Sequence, residues 1–169
     1  HLDEISARDG MYPTYSTWYN KDEENQGIDH GTTFGYTVNG SCEIHANNQK
    51  WLLHERNYFA VHGQFDILNL DGEIWTVTKL GYNCMPTMGQ VEHNGRLSYI
   101  DGCSDSVLVS MPRYGDPVLN YLHFPTGIYQ TQHTHPSVRM GIVISGEGEA
   151  FQEKDNWTDG WVQPLKKGC

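Results

Sequence analysis

The sequence predicts an all-β protein, a sandwich or barrel of short strands. Three observations predict it. Short runs rich in Val, Ile, Tyr and Trp recur along the chain, and such residues suit a half-buried pleated surface. Turn dipeptides such as Asn39-Gly40, Asp71-Gly72 and Asn94-Gly95 separate the runs at close intervals. Nowhere does an amphipathic run of about ten residues or more ask for a helix.

Taken in order, residues 1–30 are polar and acidic around Asp22-Glu23-Glu24-Asn25 and read as an N-terminal arm with one edge strand at 14–19. Residues 33–39 are apolar and aromatic and end in Asn39-Gly40, a strong hairpin signal. In 41–46, Cys42, Ile44 and Ala46 alternate with Glu43 and His45, as a strand with one buried face requires. Asn47-Asn48 is the next turn, and four further strands fall at 51–54, 58–61, 65–70 and 74–80. The turns between them are Arg56-Asn57, His62-Gly63 and Asp71-Gly72. Residues 83–117 carry more Pro and Gly, with one strand at 107–111. Strands at 119–124, 128–135 and 138–145 follow.

Composition narrows the function classes. The net charge is −10 with His neutral, which argues against nucleic acid or an anionic membrane surface as a partner, since both require a basic footprint. No apolar run reaches the roughly 18 residues of a spanning helix, and no charged start precedes an apolar core, so a cytoplasmic location is expected. Cys42, Cys84, Cys103 and Cys169 are scattered without a Cys-x-x-Cys pair and read as reduced, partly buried thiols. Two glycosylation-type triplets occur, Asn39-Gly-Ser41 and Asn156-Trp-Thr158.

The strongest chemical clue is His133-Thr-His135. On a strand, residues two apart share a face, so both imidazoles can serve one metal ion. Thr131 and Tyr129 share that face and Gln130 and Gln132 take the other. Glu147 and Glu149 are candidate carboxylate ligands, and His123 on the preceding strand is a candidate neighbour. The chain also echoes itself: residues 34–43 align with 140–149 at a constant offset of 106, with Gly35/Gly141, Gly40/Gly146 and Glu43/Glu149 coinciding. Two copies of one β unit are the simplest reading.

With those residues in view, the chain resembles the cupin family of small β-barrels. The first cupin motif runs Gly, five residues, His-x-His, then Glu, then six residues and Gly. Gly127, His133, His135 and Gly146 match its spacing, and Arg139 stands where the Glu is expected. Leu53-His-Glu-Arg-Asn-Tyr-Phe59-Ala-Val-His62-Gly63 resembles the second motif of an earlier copy, one without a His-x-His.

The resemblance implies a cupin (jelly-roll) bicupin of two tandem copies: an arm at 1–30, a first unit without metal ligands at 31–117, and at 118–169 the start of a second unit, incomplete at its C-terminus. The missing strands are expected from a continuing segment or another chain. It also implies His133 and His135 as metal ligands, with Fe(II) favoured and Mn, Ni or Zn possible. Arg139, whose guanidinium grips carboxylates bidentately, is the candidate catalytic residue for a small anionic substrate. A metal-dependent dioxygenase is the nearest analogy. The alternative is a non-catalytic cupin that binds a ligand or serves assembly. A homodimer is expected in either case.

Overall fold

The computed structural model describes residues 5–7, 13–21, 25–26, 30–110, 112–135 and 137–169. The acidic Asp22-Glu23-Glu24 stretch, Met111 at the end of the strand expected at 107–111, and Pro136 lie outside them. The chain divides into two compact units, 1–130 and 131–169.

The first unit is all-β and antiparallel. Its strands are β1 (Ile5–Ala7), β2 (Thr14–Asn20), β3 (Asn25–Gln26), β4 (Thr32–Ala46), β5 (Gln49–His54), β6 (Asn57–His62), β7 (Phe65–Lys79), β8 (Thr87–Gln90), β9 (Leu97–Ser98), β10 (Ser104–Val109) and β11 (Leu119–His123). The only helix among the described residues is one 3-10 turn, Ile100–Gly102. Eight strands form one sheet in the order β1-β2-β7-β4-β6-β8, with β3 on β7 and β5 on β4. A second sheet runs β11-β10-β9. Neither closes into a barrel, so the barrel expected from the sequence is here a set of open, curved sheets.

Two long strands create the curvature. The sequence places a hairpin turn at Asn39-Gly40 and another at Asp71-Gly72. Instead β4 and β7 run straight through both dipeptides, and Gly40 pairs with Gly72. Both glycines have positive φ, +73° and +138°, and the ladder shifts register between Thr37 and Asn39 and between Ser41 and Glu43. These are bulges, which bend a strand without ending it. A Cβ on Gly40 would run into the Asp71 carbonyl oxygen, so only glycine permits the two backbones to bend together.

The bend folds the sheet over a core of Tyr19, Cys42, Ile44, Ala46, Leu53, Phe59, Val61, Phe65, Ile67 and Ile74, with Trp51 and Leu70 packed against it. Side-chain alternation puts Phe34 and Ala60 on the opposite face from Phe59 and Val61. There they join Tyr82, Cys84 and Val109 in a second cluster, edged by Tyr58 and Leu119. Phe59 packs over Gly35, its partner across the ladder.

Buried hydroxyls finish the joints. Thr33 and Thr78 share a hydrogen bond of 2.8 Å across β4 and β7. Trp75 Nε1 donates to Ser16 Oγ at 2.8 Å, tying β7 to β2. Thr32 Oγ1 donates to the Tyr82 carbonyl and accepts from Cys84 N, anchoring the loop after β7. The expected turns at Asn47-Asn48, Arg56 and Gly63 are present, each with positive φ. The expected edge strand at 14–19 is β2, an interior strand paired on both sides by β1 and β7.

The second unit, considered by itself, is an antiparallel hairpin of β12 (Glu147–Gln152) and β13 (Trp161–Lys166) preceded by an extended stretch. Asp155 Oδ1 accepts from the backbone N–H groups of Trp157 and Thr158 at 2.8 and 2.7 Å and shapes the connection. These bonds hold the Asp155 carboxyl below its ordinary range. Val143 N–H donates to the Cys169 carbonyl while Gly168 N–H donates to the Val143 carbonyl. The strands expected at 128–135 and 138–145 are not formed among the described residues, and the backbone bonds of Val143 to Gly168 and Cys169 do not extend into a ladder. Gly40 and Gly146, which coincide in the internal echo, both adopt positive φ, but so do many other glycines here, and Gly40 lies in a strand whereas Gly146 lies in a bend.

Candidate functional site

His133, His135 and Arg139 lie on the exposed stretch of the second unit that precedes β12. Although no strand aligns them, the two imidazoles meet edge to face, with centroids 4.9 Å apart and planes at 82°. The rings therefore meet on a stretch without assigned secondary structure, and strand parity is not what brings them together.

The hydrogen bonds give the two rings opposite tautomers. His133 Nδ1 lies 2.8 Å from the Thr131 carbonyl oxygen. A carbonyl only accepts, so Nδ1 carries the proton and Nε2 is left with a free lone pair. This is how metal-bound histidines are commonly oriented. His135 is the reverse. Its Nδ1 lies 2.9 Å from Arg139 Nη2, and a guanidinium only donates. Nδ1 of His135 is therefore the bare nitrogen, and neutral His135 carries its proton on Nε2. Local desolvation by neighbouring atoms first, then the charges of Arg139 and His133, push the His135 pKa down although the residue is exposed, so the neutral form is favoured.

This arrangement bears directly on a metal. Among the described residues no group of three or more His, Cys, Asp or Glu side chains is placed to hold one. Of the two imidazoles, one presents a lone pair at Nε2 and the other presents a proton there, with a cation on its remaining nitrogen. The residues present therefore fit a resident divalent cation poorly. They fit an anion better: a guanidinium with donors to spare and the Nε2–H of His135 supply hydrogen-bond donors next to one another.

The other candidates are placed as follows. Glu147 and Glu149 stand on β12 of the second unit and are exposed. His123 is the last residue of β11 in the first unit. Gln130 Nε2 is 3.6 Å from Cys103 Sγ, a packing contact within the first unit. Tyr129, Thr131 and Gln132 are exposed. His62, in the stretch likened to a second cupin motif, contacts the Cys84 carbonyl through Nδ1 at 3.1 Å and braces the loop after β7.

The cysteines are free thiols, with Cys42, Cys84 and Cys103 buried and Cys169 exposed. Burial pushes the Cys42 thiol up to about 11, which removes it as a nucleophile near neutral pH. The Thr131 carbonyl was not legible as part of the site, since a main-chain acceptor leaves no mark in the sequence. Among the described residues no helix is long and apolar enough to cross a membrane. No family model matches the chain, and no curated protein matches it.

Proposed function

We propose that the chain is a cupin-like protein that binds a small organic anion through Arg139 and His135, with His133 as the neighbouring ring, and that this binding is not coupled to turnover. The observation that supports it is the contact between Arg139 Nη2 and His135 Nδ1. It occupies the position where a metal site of this kind needs a carboxylate, and it replaces an acceptor with a donor. A carboxylate ligand accepts from the guanidinium in the bidentate manner that Arg favours. The bicupin jelly-roll architecture, a homodimer and a cytoplasmic location belong to the same reading.

A second reading keeps the metal. It is favoured by the tautomer of His133, whose Nε2 is free to coordinate. In that case His133 and His135 hold a divalent ion, Fe(II) first, and the ion supplies Lewis-acid or dioxygen chemistry. Arg139 then orients the anionic substrate and releases His135.

One set of proteins tests both. Purified chain is titrated with acetate, malonate and benzoate, following the imidazole C–H resonances by NMR. Anion binding is expected in the parent and weakened about tenfold or more in Arg139→Ala, the size of one charge-assisted hydrogen bond at an exposed site. The parent is expected to carry no stoichiometric first-row metal by elemental analysis. Arg139→Glu restores the carboxylate and is expected to gain Co(II) or Zn(II) affinity that His133→Ala abolishes. About one metal per parent chain, lost in His133→Ala/His135→Ala, would establish the second reading instead.

A further inference from the structure

The sequence contains two Asn-Gly pairs, Asn39-Gly40 and Asn94-Gly95, and the binding site uses neither. Such pairs share one intrinsic reaction. The backbone nitrogen of the glycine, once deprotonated by hydroxide, attacks the side-chain carbonyl carbon of the asparagine. An N–C bond forms, the bond to the side-chain nitrogen breaks, and ammonia leaves with the proton returned from solvent. Water then opens the cyclic imide at either carbonyl, giving aspartate or isoaspartate. One water enters and one ammonia departs. The fold treats the two pairs differently.

Asn39 lies within β4, paired with Glu73 of β7, and Gly40 is paired with Gly72. The Gly40 carbonyl also accepts from Glu55 N–H at 2.9 Å. Ring closure requires Asn ψ to leave the extended region that a strand imposes, and here that would break the ladder on both sides of the bend. The amide itself is engaged, with Asn39 Nδ2 donating to Glu73 Oε2 at 2.6 Å. Asn94 is exposed on a bend between β8 and β9, outside every ladder. The one restraint seen on its nucleophile is a side-chain bond, Gly95 N–H to Ser104 Oγ at 2.9 Å.

We propose that Asn94 is a site of spontaneous deamidation in the folded protein, that Asn39 is protected by the ladder, and that Ser104 acts as the brake on Asn94. The product has a structural consequence. Gly95 lies flush against the backbone of Ser104 and Asp105, without room for a Cβ. Arg96 N–H next to it donates to Ser106 Oγ at 2.9 Å. Isoaspartate inserts a methylene into the main chain immediately before these two bonds and separates β9 from its seat on β10. Either product adds a negative charge to a chain that is already acidic.

The test is peptide mapping of the full chain after incubation in mildly alkaline buffer, native and in urea, with isoaspartate detected by enzymatic methylation. In urea both asparagines are expected to convert. In the native protein Asn94 is expected to convert at least about tenfold faster than Asn39, the margin set by local opening of a ladder against opening of a single side-chain bond. Ser104→Ala is expected to speed conversion at Asn94 and leave Asn39 unchanged, and Asn94→Gln to remove the native signal. Equal native rates at the two sites, or conversion of neither while both convert in urea, would overturn the proposal. An unchanged rate in Ser104→Ala would overturn the role given to Ser104.

Discussion

At the scale of residues, the His135–Arg139 contact makes the candidate site sensitive to pH. The His135 pKa is lowered by local desolvation, then by Arg139 and His133. The sign follows from linkage. A base with a lowered folded pKa binds fewer protons when folded, so the native arrangement around it is favoured above the ordinary imidazole range and loses ground as the pH falls through the lowered value. Protonation at Nδ1 also removes the only acceptor that Arg139 has in this contact. An NMR titration of the imidazole resonances is therefore expected to give His135 a midpoint below the ordinary range. In Arg139→Ala that midpoint rises towards it without fully reaching it, because the local desolvation and the His133 ring remain. An Arg139→Ala midpoint equal to that of the parent would show that the guanidinium does not act on the ring. Of this candidate site, the histidine pair was picked out in the sequence by strand parity, although the stretch that carries it is not a strand. The tautomers were not, since one depends on the Thr131 main chain and the other on an arginine four residues away.

At the scale of elements, the strands read well where one face is buried and badly where a turn signal has two meanings. The alternation of Cys42, Ile44 and Ala46 against Glu43 and His45 appears as the alternation of buried and half-buried side chains in the far half of β4. Asn39-Gly40 and Asp71-Gly72 misled for a physical reason: positive φ serves a hairpin turn and a bulge equally. Only the strand lying opposite decides between them, and the sequence does not say which strand that is. The strands expected at 128–135 and 138–145 show the converse: runs that local composition marks as strands join no ladder among the described residues. Two substitutions separate backbone from packing effects. Gly40→Ala meets both an unfavourable φ and the Asp71 carbonyl, and is expected to cost about 2 kcal/mol or more. Phe59→Ala, at a fully buried position, is expected to cost about 3–5 kcal/mol through lost burial and the cavity left behind. Urea denaturation checks both. A neutral Gly40→Ala would mean that the paired bend relaxes without strain.

At the scale of the molecule, the two units are built to different standards. The first unit contains both hydrophobic clusters. The second offers one hairpin whose β13 shows mostly exposed side chains, with Trp157 92% and Val162 65% exposed. An isolated two-stranded hairpin is marginal in water. Amide hydrogen exchange is accordingly expected to show slow exchange through β4, β6 and β7 and fast exchange through β12 and β13. Protection of β12–β13 equal to that of β4 would contradict this and point to a partner that covers the hairpin. The all-β class follows from local patterning, whereas closure is a property of strand order, which local patterning does not carry.

The pairing of Gly40 with Gly72 reaches beyond local geometry. Because β4 and β7 cross the bend together, the leaf carrying Ile44 and Ile67 and the leaf carrying Phe34 and Val77 share the same two backbones. The two glycines act as the spine of a folded page. Neither leaf can be lifted away without creasing or tearing the other, so a short stretch of glycine-permissive backbone, and not a linker or a disulfide, makes the two halves of this sheet one cooperative object.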